Sequence, residues 1–152
     1  MQHSSNLKQI QIIYWAIFAA LLLMFGVSIF VLSDFGSVWD FSVNEKEIFK
    51  TGIVIIALFG IPAGYAFHKK KMSHLPTDLA IEEKLKAYKT SFFIKIVTLE
   101  SLGIIALTGY LFSADVVFLF IFGLLFITYL LNIPTKVRVM DELNPNEEDN
   151  SL

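Results

Sequence analysis

One carboxylate stands deep in an otherwise apolar segment. Glu100 lies ten residues into residues 90–113, whose only other charge is Lys95. If that segment is a helix crossing a bilayer, its rise of about 1.5 Å per residue puts Glu100 within roughly 2–3 Å of the bilayer centre. An acidic side chain at that depth costs about 2.5–3.5 kcal/mol on insertion scales. Such a residue either handles a proton or an ion, or hydrogen-bonds across helices and holds them together. Thr98, Ser101 and Thr108 are the hydroxyls placed to support it. Lys95, five residues back, points about 140° away on a helix and reads as a lysine reaching toward the interface. No other apolar block carries a charge to pair with Glu100.

The remaining inventory holds no recognisable chemistry. There is no cysteine, hence no disulfide, thiolate metal site or cysteine nucleophile. His3, His68 and His74 fall outside the apolar blocks and read as solvated loop residues, so no metal site is expected. No nucleophile elbow, phosphate-binding glycine loop, zinc motif or dinucleotide fingerprint occurs. No catalytic residue and no cofactor are therefore expected, and the chain is not expected to be an enzyme. Twelve basic and 14 acidic residues give a net charge of −2, which is no footprint for nucleic acid.

What must position Glu100 is a set of long apolar helices. The 152 residues are 55% hydrophobic and 17% charged, against roughly 25% charged in soluble domains. The charges lie between four apolar blocks, each of 17–25 residues, longer than a membrane strand and close to the roughly 20 residues of a membrane helix. The helices are expected at about residues 9–33, 47–67, 78–113 and 115–133. The first is too long for a signal-peptide core, and Tyr14 and Trp15 sit near its start, where aromatic belts lie. Pro62 falls inside the second and predicts a kink. Pro76, Thr77 and Asp78 read as the start of the third, in which Ile81, Leu85, Tyr88 and Phe92 recur on one face. Three residues, Ser113 to Asp115, join the third and fourth as an antiparallel hairpin. Residues 1–140 then form one domain, and the acidic residues 141–152 a flexible cytoplasmic tail.

Lysine and arginine counts set the orientation. Nine lie in the N-terminal arm, the middle connection and the C-terminal segment, and two in the first connection. The positive-inside rule then puts both termini in the cytoplasm. Gly60 and Gly64 form a close-approach motif expected to pack within the bundle.

Tyr14-Trp15, the segment Val97-Thr98-Leu99-Glu100-Ser101-Leu102-Gly103, and Asn132-Ile133-Pro134-Thr135-Lys136 together resemble small bacterial four-helix membrane proteins of unassigned function. Leu99 to Gly103 also resembles the carboxylate helix of rotary ATPase proteolipids, which would imply ion binding at Glu100. Here the acid is on the first helix of the hairpin, where proteolipids carry it on the second. Small multidrug-resistance transporters share four helices and one membrane glutamate, but theirs is on the first helix. Glutathione-transferase-like membrane enzymes carry arginines at the cytoplasmic helix ends, and this chain has only Arg138. The expectation is an all-α four-helix transmembrane bundle in a bacterial inner membrane. It would act by helix packing as an accessory subunit, with lipid, another membrane protein or a second copy as partner. The alternative is an ion- or proton-coupled carrier using Glu100.

Overall fold

The computed structural model describes residues 2–39, 41–76 and 79–143, with side chains from Asn6 onward. Among these residues there are five helices: α1 (Gln2–Phe35), α2 (Val43–Ser73), α3 (Ile81–Ser113), α4 (Val117–Leu130) and α5 (Lys136–Leu143). Three contain stretches long and apolar enough to cross a membrane: Asn6–Phe35, Val43–Ser73 and Ile81–Ser113, with mean hydropathies of 2.6, 1.7 and 1.7. The fourth apolar helix, α4, has only 14 residues. At 1.5 Å per residue that is about 21 Å, short of a hydrocarbon core of about 30 Å.

The helices outrun their apolar blocks. α1 starts at Gln2 rather than residue 9, because nothing in the polar arm breaks a helix. α2 starts at Val43 because Ser42 and Glu45 form a capping box: the Glu45 carboxylate accepts from the Ser42 backbone N–H at 2.9 Å, and the Glu45 N–H donates back to Ser42 Oγ at 3.4 Å. α2 then continues through Lys69, Lys70 and Lys71, whose charges suit the negative end of a helix dipole. His68 therefore lies inside a helix rather than in a loop. Pro62 sits within α2 without ending it. Thr77 and Asp78 lie outside the described residues, and α3 begins after Ala80 with no side-chain cap. The hairpin between α3 and α4 turns on Ala114, in the left-handed region at φ 53°, with its N–H on the Tyr110 carbonyl at 2.8 Å.

α3 is the hub, packing against α1, α2 and α4 and touching α5 at one end. Against α2 the approach is close because Gly60 faces the Leu102 side chain and Gly64 faces Thr98. α1 meets α4 through aromatic pairs instead: Tyr14 on Tyr129, Phe18 on Phe126 and Phe25 on Phe122, with ring centroids 4.6, 5.2 and 5.3 Å apart. At the hairpin end, the Val38 N–H reaches the Leu111 carbonyl at 3.1 Å and Lys50 reaches Asp115 at 3.5 Å. At the other end lie the start of α1, the α2–α3 connection and α5. There Lys89 donates to the Gln9 side-chain oxygen at 2.8 Å. The apolar blocks expected to begin at residues 9 and 90 thus begin at the same level.

The C-terminal segment departs from expectation at its start. Asp141, Glu142 and Leu143 belong to α5, which buries Val139 and Leu143 one turn apart. Residues 144–152, the rest of the expected tail, lie outside the described residues.

Candidate functional site

Glu100 lies on the α3 stripe that also carries Phe93 and Ile104, at spacings of seven and four. Both of those are exposed, and Glu100 itself is half-buried. Among the described residues it makes no hydrogen bond and no ion pair. None of the hydroxyls expected to support it does so. Thr98 Oγ1 donates to the Ile94 carbonyl and Thr108 Oγ1 to the Ile104 carbonyl, each at 2.8 Å on their own helix. Ser101 is exposed and makes no hydrogen bond among the described residues. Such bonds to the preceding turn spare a hydroxyl the search for a partner on another helix. Among the described residues, then, no hydrogen bond from Glu100 ties one helix to another.

The costlier group is one turn and a residue away. Lys95 was expected to extend to the interface, yet it is 2% exposed. Its Nζ sits 5.1 Å from the Phe92 ring centroid and 5.4 Å from that of Tyr65. Rings at that range attract a cation, the more so when it is desolvated. No carboxylate is within 4 Å of it among the described residues, but the charge of Glu142 acts on it from α5. The reading of Lys95 as an interfacial lysine does not hold. Lys95 falls on the inner face because that face runs through Leu85, Tyr88 and Phe92 at spacings of three and four, and its next position is 95.

Glu142 is the centre of a polar cluster joining α2, α3 and α5. One carboxylate oxygen accepts from His68 Nε2 at 3.0 Å and the other from Arg138 Nε at 3.1 Å. The Tyr88 hydroxyl is buried nearby without a hydrogen bond, close enough to feel the Glu142 charge. Burial alone would raise the Glu142 carboxyl. The hydrogen bonds from His68 and Arg138, with the Lys95 charge behind them, outweigh that and hold it at about 2. His68 was expected in solvent, but it is 6% exposed. Its Nε2 must carry a proton to meet a carboxylate. Its Nδ1 lies 2.9 Å from Ser91 Oγ, which also lies 3.1 Å from the Tyr88 carbonyl. The hydroxyl has one proton for two acceptors. The Ser91 rotamer therefore decides whether the hydroxyl donates to the Tyr88 carbonyl or to His68.

Beside this cluster, Asn132 donates from Nδ2 to the Tyr65 hydroxyl and, at 2.7 Å, to the Thr128 carbonyl, while its Oδ1 is buried without a partner. No three histidine, cysteine or acidic side chains converge as a metal site among the described residues. The burial of His68 did have a signal in the sequence: Ala57, Gly60, Gly64 and His68 follow each other at spacings of three and four, one helical face made of small residues and a ring. Nothing local marked Glu142, whose role comes from how the break at residues 131–135 sets α5 against α2 and α3. In comparison with known proteins, the chain matches no family, no curated protein and no solved structure.

Proposed function

We propose that this chain is a small multi-pass membrane protein that acts, without catalysis, as an accessory subunit packing against another membrane protein. In this reading four helices span the bilayer, α4 completing its span with the residues that flank it, and both termini are cytoplasmic. Nine basic residues on the side of the termini against two on the other support that orientation. The resemblance stated above adds a bacterial inner membrane.

One observation carries the reading: Glu100 makes no hydrogen bond and no ion pair among the described residues, and the four-span topology places it mid-span. At about 2.5–3.5 kcal/mol, an unpartnered acid at that depth calls for a partner from outside. The surface around it is available for one. Only 11% of the most apolar window of α1 is buried, against 50% for α3. A photo-crosslinking residue at position 104, beside Glu100, tests the idea in membranes. Capture of one discrete protein, lost in Glu100→Ala, is expected. Crosslinking to lipid alone at position 104, with no protein adduct, would sink it.

A second reading has its own support. The groove between α1 and α3 is lined as deep as Ile96, and Glu100 follows one turn further along the same helix. A proton or cation could reach the carboxyl from the cytoplasmic side, and the chain would be an ion-coupled carrier. Carbodiimide labelling of Glu100, prevented by one cation, is the result that favours the carrier over the accessory subunit.

A further inference from the structure

The starts of α1 and α3 leave between them a groove of about 520 Å³, a volume in the range of sites that enclose a small ligand. Its lining changes along its length. Lys86, Lys89 and Thr90 lie at one end, and Ile13, Phe93 and Ile96 lie further along. The polar end is at the level where Lys89 meets Gln9, the shared boundary of the apolar parts of both helices. Lys86 makes no ion pair, and Lys89 donates to a neutral amide oxygen. Neither ammonium is within 4 Å of a carboxylate among the described residues. A cationic rim at headgroup height above an apolar floor at acyl-chain height has the charge and polarity order of one molecule.

We infer that the groove holds a single anionic phospholipid from the leaflet on the side of the termini. Its phosphate sits at Lys86 and Lys89, and an acyl chain lies along Ile13, Phe93 and Ile96. A free phosphate would leave the apolar floor unused. An apolar helix from a partner would put nothing against the two ammonium groups. The inference rests on the chain lying in a bilayer and not on the accessory role of Glu100; an acyl chain in the groove would close the path that the carrier reading uses. A failed crosslink at position 104 leaves it standing, and loss of lipid binding leaves that crosslink standing.

Native mass spectrometry of the full chain tests it, with detergent micelles carrying equal phosphatidylglycerol and phosphatidylcholine. One phosphatidylglycerol should survive collisional activation that removes phosphatidylcholine. At about fivefold per lysine near an anionic headgroup, Lys86→Gln with Lys89→Gln should weaken retention by about 30-fold. Ile13→Trp narrows the floor and leaves both lysines, and should also lower retention. Thr90→Trp narrows the mouth of the groove from an exposed position and should lower retention too, in case Ile13→Trp disturbs the fold. Lys69→Gln with Lys70→Gln removes as much charge away from the groove and should change nothing. Equal retention of the two lipids overturns the inference. So does an equal loss in the Lys69 and Lys70 control, which would make the effect one of net charge. Full retention in both tryptophan variants also overturns it, since the headgroup alone would then suffice.

Discussion

Tyr14 and Tyr129 exchange hydrogen bonds. Each hydroxyl donates to the other's backbone carbonyl at 2.8 Å, and the rings stack at 4.6 Å between α1 and α4. The pair fixes both the spacing and the relative height of two helices that otherwise meet through phenylalanines. Neither carbonyl depends on it, since the Tyr129 carbonyl also accepts from the Asn132 N–H at 2.9 Å. Tyr14→Phe and Tyr129→Phe should therefore each lower stability in detergent by about 0.6–1.7 kcal/mol, the range of single hydrogen bonds inside membranes. Thermal unfolding of both single variants and the double variant is the measurement. A double variant no worse than either single would mean the two bonds form only together.

Acid should loosen the α5 end. The Glu142 carboxyl is held at about 2 in the fold against an ordinary value of 4.5. A depressed carboxyl contributes stability that is complete above its unfolded value and is lost as pH falls through the folded one. The melting temperature should therefore drop between about pH 4.5 and 2. Glu142→Gln should flatten that dependence and, at neutral pH, cost about 1.5–3 kcal/mol, the value of hydrogen bonds to a charged group. An unchanged acid profile in the variant would assign the loss to other carboxylates.

Lys95 separates charge from volume. Lys95→Met keeps an unbranched chain between the Phe92 and Tyr65 rings and removes a buried ammonium. Replacing a buried charge by an apolar group of similar size is often neutral or stabilising, and Glu142 keeps its bonds from His68 and Arg138. Lys95→Ala opens a cavity and should cost about 2–5 kcal/mol. A loss in Lys95→Met as large as in Lys95→Ala would show that the ammonium itself holds the cluster.

Four glycines should rank by what a methyl group would meet. At Gly109 it would come within 2.8 Å of the Phe118 ring and 2.9 Å of Ile53, so Gly109→Ala should cost about 1–3 kcal/mol. At Gly60 the neighbour is the end of Leu102 at 2.8 Å, which can rotate, and the loss should be smaller. At Gly64 the nearest atoms are 3.5 Å away, and at Gly26 nothing lies within 4 Å. Gly26→Ala should stabilise by about 0.5–1 kcal/mol through the helix alone. Stability in detergent across the four variants checks the order.

Glu100 without a partner among the described residues predicts silence in the isolated chain. Neither Glu100→Gln nor Glu100→Ala should lower its thermal stability, because no bond is lost. Any phenotype would then appear only in a complex or in ion flux. A loss of stability in Glu100→Ala rescued by Gln would restore a bond across helices of the same chain.

The helical architecture was legible because a polarity pattern extends over many residues. Runs of 17–25 apolar residues have few alternatives, and a three-residue link forces a hairpin. Helix ends were less so, since polar residues that form helices well, such as those at Lys69 to Lys71, look like loop when hydropathy is the guide. The buried cluster was partly legible. Lys95 and His68 each continue a visible inner stripe, yet their polarity argued for solvent. The pairing of His68 with Glu142 spans 74 positions and depends on where α5 folds back, which no local spacing encodes.

The burial of Lys95 has a consequence for the order of synthesis. Glu142 lies 47 residues downstream. At about 5–20 residues per second, that is roughly 2–10 s of translation. In the later part of that interval α3, which ends at Ser113, is complete while the carboxylate whose charge acts on its ammonium does not yet exist. The His68–Glu142 end can close only after α5 has left the ribosome. The last helix made is the one that lets the third be buried, so a message truncated after α4 would yield a chain with all its apolar blocks and no settled place for its lysine.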